Sequence, residues 1–132
     1  MNKQITLANL AESTAQEVFD RVTAHLLKQN AKSTYNGNCA YRSHVVDMSN
    51  SLSCAAGCLI SDEEMKSLIE TRGSSINMHS WRALAVDEVL PDVHLCLIGK
   101  LQRVHDCWCP EDWKCKLEDV ARERGLAFNY HG

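Results

Sequence analysis

The sequence predicts an α+β fold: one helix-rich domain over residues 1–132, carrying a small antiparallel β-hairpin. Three observations predict it. Several stretches place apolar residues at the three- and four-residue steps of a helix face, next to residues that cap helices. Glycine and proline number only six and two in 132 residues, too few for the many turns of an all-β protein. Two short runs, Cys39–Arg42 and Leu52–Ala55, read as strands that would pair.

The first helix is expected over 14–29. Ser13 and Gln16 have the spacing of a capping box. Ala15, Val18, Phe19, Val22 and Leu26 then fall on one face. Asn30 tolerates a left-handed backbone and is a natural stop. A turn-rich link follows, with the strong turn dipeptide Asn36-Gly37. The strand 39–42 is expected to pair with 52–55 across a long polar connection. Ala56–Ile60 is apolar and expected to be buried. Ser61 and Glu64 form a second capping box, opening a helix over 62–70 that presents Met65, Leu68 and Ile69 inward.

A short helix is expected near 79–86. A longer one is expected over 91–106, opened by Pro91 and Asp92. Val93, Leu97, Leu101 and Val104 are spaced by four, four and three, and Leu95, Cys96 and Ile98 widen the apolar face. Pro110 suits the first position of the last helix. Trp113, Leu117, Val120 and Ala121 make its inward stripe, and Gly125 its C-cap, with Leu126 folding back. Phe128 and Tyr130 make a terminal strand or a packed tail.

The composition is that of a globular chain: 45% hydrophobic, 23% charged, net charge −3. That acidic balance and the lack of a basic stripe argue against nucleic-acid binding. Residues 1–13 mix polar and apolar side chains, unlike a signal peptide. No apolar run is long enough for a membrane span. The expected location is the cytoplasm, where thiols stay reduced. Seven cysteines cannot all pair within one chain.

Two segments carry a resemblance. One is Cys39-Ala40-Tyr41-Arg42 with Leu52–Glu64. The other is Leu101–Asp106 with Trp113 and the 117–126 helix; the opening helix from Val18 to Leu27 fits too. Together they resemble a family of small proteins encoded by tailed bacteriophages and prophages, a family with no assigned activity. The connection between Arg42 and Leu52 is longer here than in the family pattern, and Cys107, Cys109 and Cys115 are not part of it. The resemblance implies a non-enzymatic accessory protein acting inside the host cell. Its partner would be a host protein or an anionic nucleotide signal of antiviral defence.

Five candidate sites are weighed against plainer readings. Cys39, Cys54 and Cys58 are thiols that either hold zinc with His44 or His79, or simply pack beside Gly57. His105, Cys107, Cys109 and Cys115 bring four possible ligands into eleven residues, the denser zinc candidate; the alternative is a cluster of loop thiols. Zinc is the one cofactor these residue types suggest. His79, His94, His105-Asp106, Asp112 and Asp119 have the ligand types of a helical metal-dependent hydrolase, although His105 near a helix C-terminus is more simply a dipole partner. A Cys–His nucleophile has no local signature. Tyr41, Arg42, His44, Trp81 and Arg103 are aromatic and basic groups suited to a planar anionic ligand or a protein hot spot; otherwise they are core-edge rings and solvated arginines. No Gly-rich phosphate loop occurs. Broad apolar faces on the last two helices leave a homodimer open.

Overall fold

The computed structural model describes residues 4–46 and 48–130; part of the 1–13 stretch, Met1–Lys3, lies outside them. Among the described residues, five α-helices and one two-stranded antiparallel hairpin make the α+β arrangement that the sequence predicts. No helix among the described residues is long and apolar enough to cross a membrane.

Helix α1 spans Ala15–Gln29. Its capping box sits one residue later than expected: the Thr14 side chain accepts from Glu17 N–H, and Glu17 accepts from Thr14 N–H. Ser13 instead donates to Asn9 O, and Gln16 is spent on the C-terminal tail, bonding both N and O of Ala127. That tail is packed, not a strand: Phe128 meets Phe19 edge to face at 6.3 Å. Asn30 does end α1 in the left-handed region.

The hairpin is formed by β1 (Thr34–Tyr35) and β2 (Asn38–Cys39). It is not the predicted pairing of 39–42 with 52–55. Asn36 and Gly37 both have positive φ, the geometry of a tight hairpin turn, so the strands close around them. Only one bridge, Arg42 with Ser53, survives of the predicted pair. The physical reason is Asn77. Its side-chain amide accepts Arg42 N–H and donates to Arg42 O, and its backbone carbonyl takes Tyr41 N–H. One residue of a distant turn thus satisfies the backbone that a strand would have paired. Past the bridge, the Ser43 and Ser51 hydroxyls take the N–H groups of Leu52 and His44 and interrupt the ladder.

Residues 54–60 are buried, as expected. Gly57 lies against the Tyr41 backbone: a Cβ there would sit 2.5 Å from Tyr41 O, so only glycine permits the approach. Helix α2 (Asp62–Arg72) starts at the predicted Ser61/Glu64 box. Glu64 also accepts the N–H groups of Leu7 and Ala8 and ties the N-terminal segment to α2.

Helix α3 spans Trp81–Val86, and α4 spans Leu95–Cys107. Pro91 does not open α4: His94 has φ 57, and this left-handed residue delays the start to Leu95. Pro91 O instead accepts the Trp81 indole N–H at 2.9 Å. Cys96 is exposed, so the buried face of α4 is narrower than predicted. Helix α5 (Pro110–Arg124) begins at Pro110 and ends at left-handed Gly125, as the sequence predicts. The inward stripes of α4 and α5 pack on each other and on α1. The apolar stripes of these two helices are buried within the chain.

His25 on α1 makes stability pH-dependent. Its Nε2 donates to Ser53 O at 2.8 Å, and burial outweighs that bond and lowers its pKa to about 4. The folded protein keeps His25 neutral down to that pH, whereas the unfolded chain protonates it below about 6.5. Its contribution is therefore complete above pH 6.5 and lost as pH falls toward 4. Chemical denaturation at pH 7.5 and pH 5 is expected to show a loss of about 2 kcal/mol that His25→Gln largely abolishes. An equal loss in that variant would contradict the assignment.

Candidate functional site

A cavity of about 480 Å³ opens between the end of β2, the 3-10 turn Ser74–Met78, the start of α3 and one stripe of α4. That volume is in the range of small-molecule sites, about 300–1,000 Å³. The α4 stripe follows helical spacing: Leu95, Ile98 and Gly99, then Gln102 and Arg103, then Asp106. Gly99 widens the cavity, and a Cβ built there meets nothing within 4 Å.

The wall is apolar and aromatic where Tyr41, Trp81 and Ile98 contribute. Trp81 is held rigidly by its bond to Pro91 O. Arg82 and Arg103 are exposed lining residues, and neither forms an ion pair or hydrogen bond with a described residue. Tyr41 is 5% exposed, and its hydroxyl is buried without a hydrogen-bond partner. A buried, unsatisfied hydroxyl costs the fold about 1–3 kcal/mol.

Asp106 lines the same cavity. Ser33 N–H donates to His105 Nε2 at 2.9 Å, so the ring proton of His105 resides on Nδ1 and is donated to Asp106 Oδ1 at 2.7 Å. Gln102 Nε2 donates to the same oxygen at 2.7 Å. Burial alone would raise the Asp106 carboxyl, but the bonds from His105, Cys39 and Gln102 outweigh it and hold it below its ordinary value. Cys39 moves the other way: burial, then Asp106, push its thiol up to about 11. The raised value favours the protonated thiol, a donor to the Asp106 carboxylate.

The structure divides the predicted ligand-binding set. Tyr41, Trp81 and Arg103 line the cavity together. Arg42 does not: it is buried, and its guanidinium is bound to the carbonyls of Tyr41, Gly57 and Ile60 and to Asp62. His44 is exposed and away from the cavity. Arg82, Gln102 and Asp106 were missed. Arg82 follows Trp81 directly, and Gln102 and Asp106 share the i, i+4 face of α4. That much was visible, but no pattern said this face lined a hole.

The four residues of the zinc candidate do not come together. His105 is fully buried with both nitrogens engaged, while Cys107, Cys109 and Cys115 are exposed. Among the described residues no three of these four converge. Cys39, His105 and Asp106 do converge. A metal on His105 Nδ1 would put the remaining ring proton on Nε2, against the Ser33 N–H, so the hydrogen bonding opposes it. Cys109, Glu111 and Asp112 also converge, all exposed. Cys54 and Cys58 are packing residues: burial pushes their thiols up to about 12 and about 11. The hydrolase ligands are likewise dispersed, with His94 on Ser13 O and Asp119 on Arg122.

No family model matches the chain, and no curated protein or solved structure matches it.

Proposed function

We propose that the protein is a non-enzymatic binding protein that takes a small, planar, anionic ligand of the nucleotide type into the cavity between α3, α4 and the end of β2. The observation that carries this reading is a 480 Å³ cavity lined by Trp81, Arg82 and Arg103, with both guanidiniums unpartnered among the described residues. Guanidiniums bind phosphate through paired hydrogen bonds, and a fixed indole offers a flat apolar wall to a base. Cys39 and His105 are tied into the structure, which favours binding over catalysis. A cavity of this volume suits a small molecule better than a host protein as the ligand. With the phage-type resemblance, the role would be sequestration of a nucleotide signal in the host cytoplasm, countering antiviral defence.

Thermal shift and calorimetry with nucleoside mono- and diphosphates and cyclic nucleotides test this. Binding should appear and weaken about tenfold in Arg103→Ala, the loss expected of one charge-assisted hydrogen bond. Gly99→Leu should fold and block the cavity, because the space above Gly99 is open. Absence of binding across the panel, or undiminished binding by Gly99→Leu, would overturn the proposal.

A further inference from the structure

Among the described glycines, Gly99 is the one that the chain itself does not explain. Gly37, Gly73 and Gly125 have positive φ, and Gly57 is pressed against Tyr41 O. Gly99 stands in the middle of α4 without a positive φ, and a Cβ there would meet nothing within 4 Å. Alanine would fit and favours a helix more than glycine does. A helical glycine with no backbone or packing reason in its own chain points to a group outside the chain that approaches the bare backbone. That face already belongs to the cavity. Leu95, Gly99 and Arg103 stand at four-residue steps along α4, and all three line it. The row passes from an apolar side chain, through bare backbone, to a cationic one. A helical side chain leans over the turn that precedes it, so Arg103 belongs to the space above Gly99.

We infer that Gly99 is the platform on which the ligand's flat ring lies, with the ring plane against the α4 backbone and the phosphate toward Arg103. The inference rests on the anionic-ligand reading above and adds where the ring sits and which residue selects for it. A flat ring gains attraction over its whole face only at van der Waals distance, and a gap of a fraction of an ångström forfeits much of it. Glycine offers such a surface because no Cβ stands between the backbone and the ring. A sugar phosphate without a base would use Arg103 and leave the platform bare. Gly99 is thus a specificity-determining residue, selecting ring-bearing phosphates over simple sugar phosphates.

Titrations of the parent and of Gly99→Ala with AMP, CMP, GMP, UMP, ribose 5-phosphate and inorganic phosphate test it. In the parent, at least one nucleotide should bind about tenfold or more tighter than ribose 5-phosphate, because the base adds buried apolar contact. Gly99→Ala should melt higher than the parent, since the helix favours alanine at an open position. It should nonetheless bind that nucleotide about tenfold or more weakly, the size of effect one misfitting methyl group has in a fitted site. Its affinity for ribose 5-phosphate should not change. A glycine with a merely structural role would not move stability and ring affinity in opposite directions. Unchanged nucleotide affinity in Gly99→Ala would overturn the platform, as would an equal loss for nucleotide and ribose 5-phosphate. A lower melting point in Gly99→Ala would show that the chain itself needs the glycine, and would overturn it too. Ribose 5-phosphate binding as tightly as every nucleotide would overturn the platform and leave the anion site standing. Absence of binding by every probe would overturn both readings.

Discussion

Arg42→Ala is expected to lower the stability of the fold by about 3–5 kcal/mol, the loss typical when one partner of a buried charged network is removed. Arg42 is 3% exposed. Its Nη1 donates to Gly57 O at 2.8 Å and to Tyr41 O at 3.2 Å, its Nη2 to Ile60 O, and its Nε to Asp62 Oδ1 at 3.2 Å. The guanidinium therefore supplies donors to two backbone carbonyls of the turn that leads into α2, those of Gly57 and Ile60, and to the Tyr41 carbonyl. Truncation would leave those carbonyls without these donors. Asp62 matters less, because its side chain is 53% exposed and water replaces its partner. Asp62→Asn should cost under about 1 kcal/mol. Arg42→Lys should fall between them, since one ammonium cannot span the directions a planar fork reaches. Urea denaturation measures all three. A loss below about 1 kcal/mol for Arg42→Ala would mean that the carbonyls find other donors.

Trp113→Ala is expected to cost about 3–5 kcal/mol, the range for emptying a buried large aromatic site. Trp113 is fully buried, and its indole donates to Trp108 O at 3.0 Å, pinning the turn between α4 and α5. Its ring stacks on His105 with centroids 5.5 Å apart. The tryptophan thereby holds the imidazole that donates to Asp106. Trp113→Phe keeps a stacked ring and loses the N–H bond, so a smaller loss is expected. A second readout separates packing from site support. The His105 Nδ1 proton, visible by NMR while its hydrogen bond lasts, should exchange faster in Trp113→Ala than in Trp113→Phe. Equal exchange in both would show that Trp113 does not position His105.

Legibility from sequence followed the range of the interaction. The Ser61/Glu64 box, the Asn30 and Gly125 stops and the Pro110 start are satisfied within a few residues of themselves, and each appears where it was read. The opening cap slipped by one residue because Ser13 and Thr14 both qualify, and Gln16 was needed 111 residues away. The hairpin moved because the Asn36-Gly37 turn decided the pairing locally, while Asn77 took over the backbone of Tyr41 and Arg42. For the site, residue type suggested Tyr41, Trp81 and Arg103, which share the cavity, and equally Arg42 and His44, which do not line it. Nothing in their type says that Arg42 turns inward to carbonyls while Arg103 faces a cavity.

The sequence alone determined the helix-rich α+β class, most helix ends and the buried stripes, because caps and periodicity are properties of a few neighbouring residues. It also narrowed the chemistry by what it lacks: a phosphate loop and a basic stripe. The tertiary structure alone decided which polar groups are spent and which remain. Arg42, His105 and the buried thiols are consumed by partners distant in sequence or by burial, whereas Arg82 and Arg103 line a cavity without a partner among the described residues. A hydrogen bond needs its partner within about 3 Å, and only the packing of α3, α4 and the end of β2 sets distances on that scale.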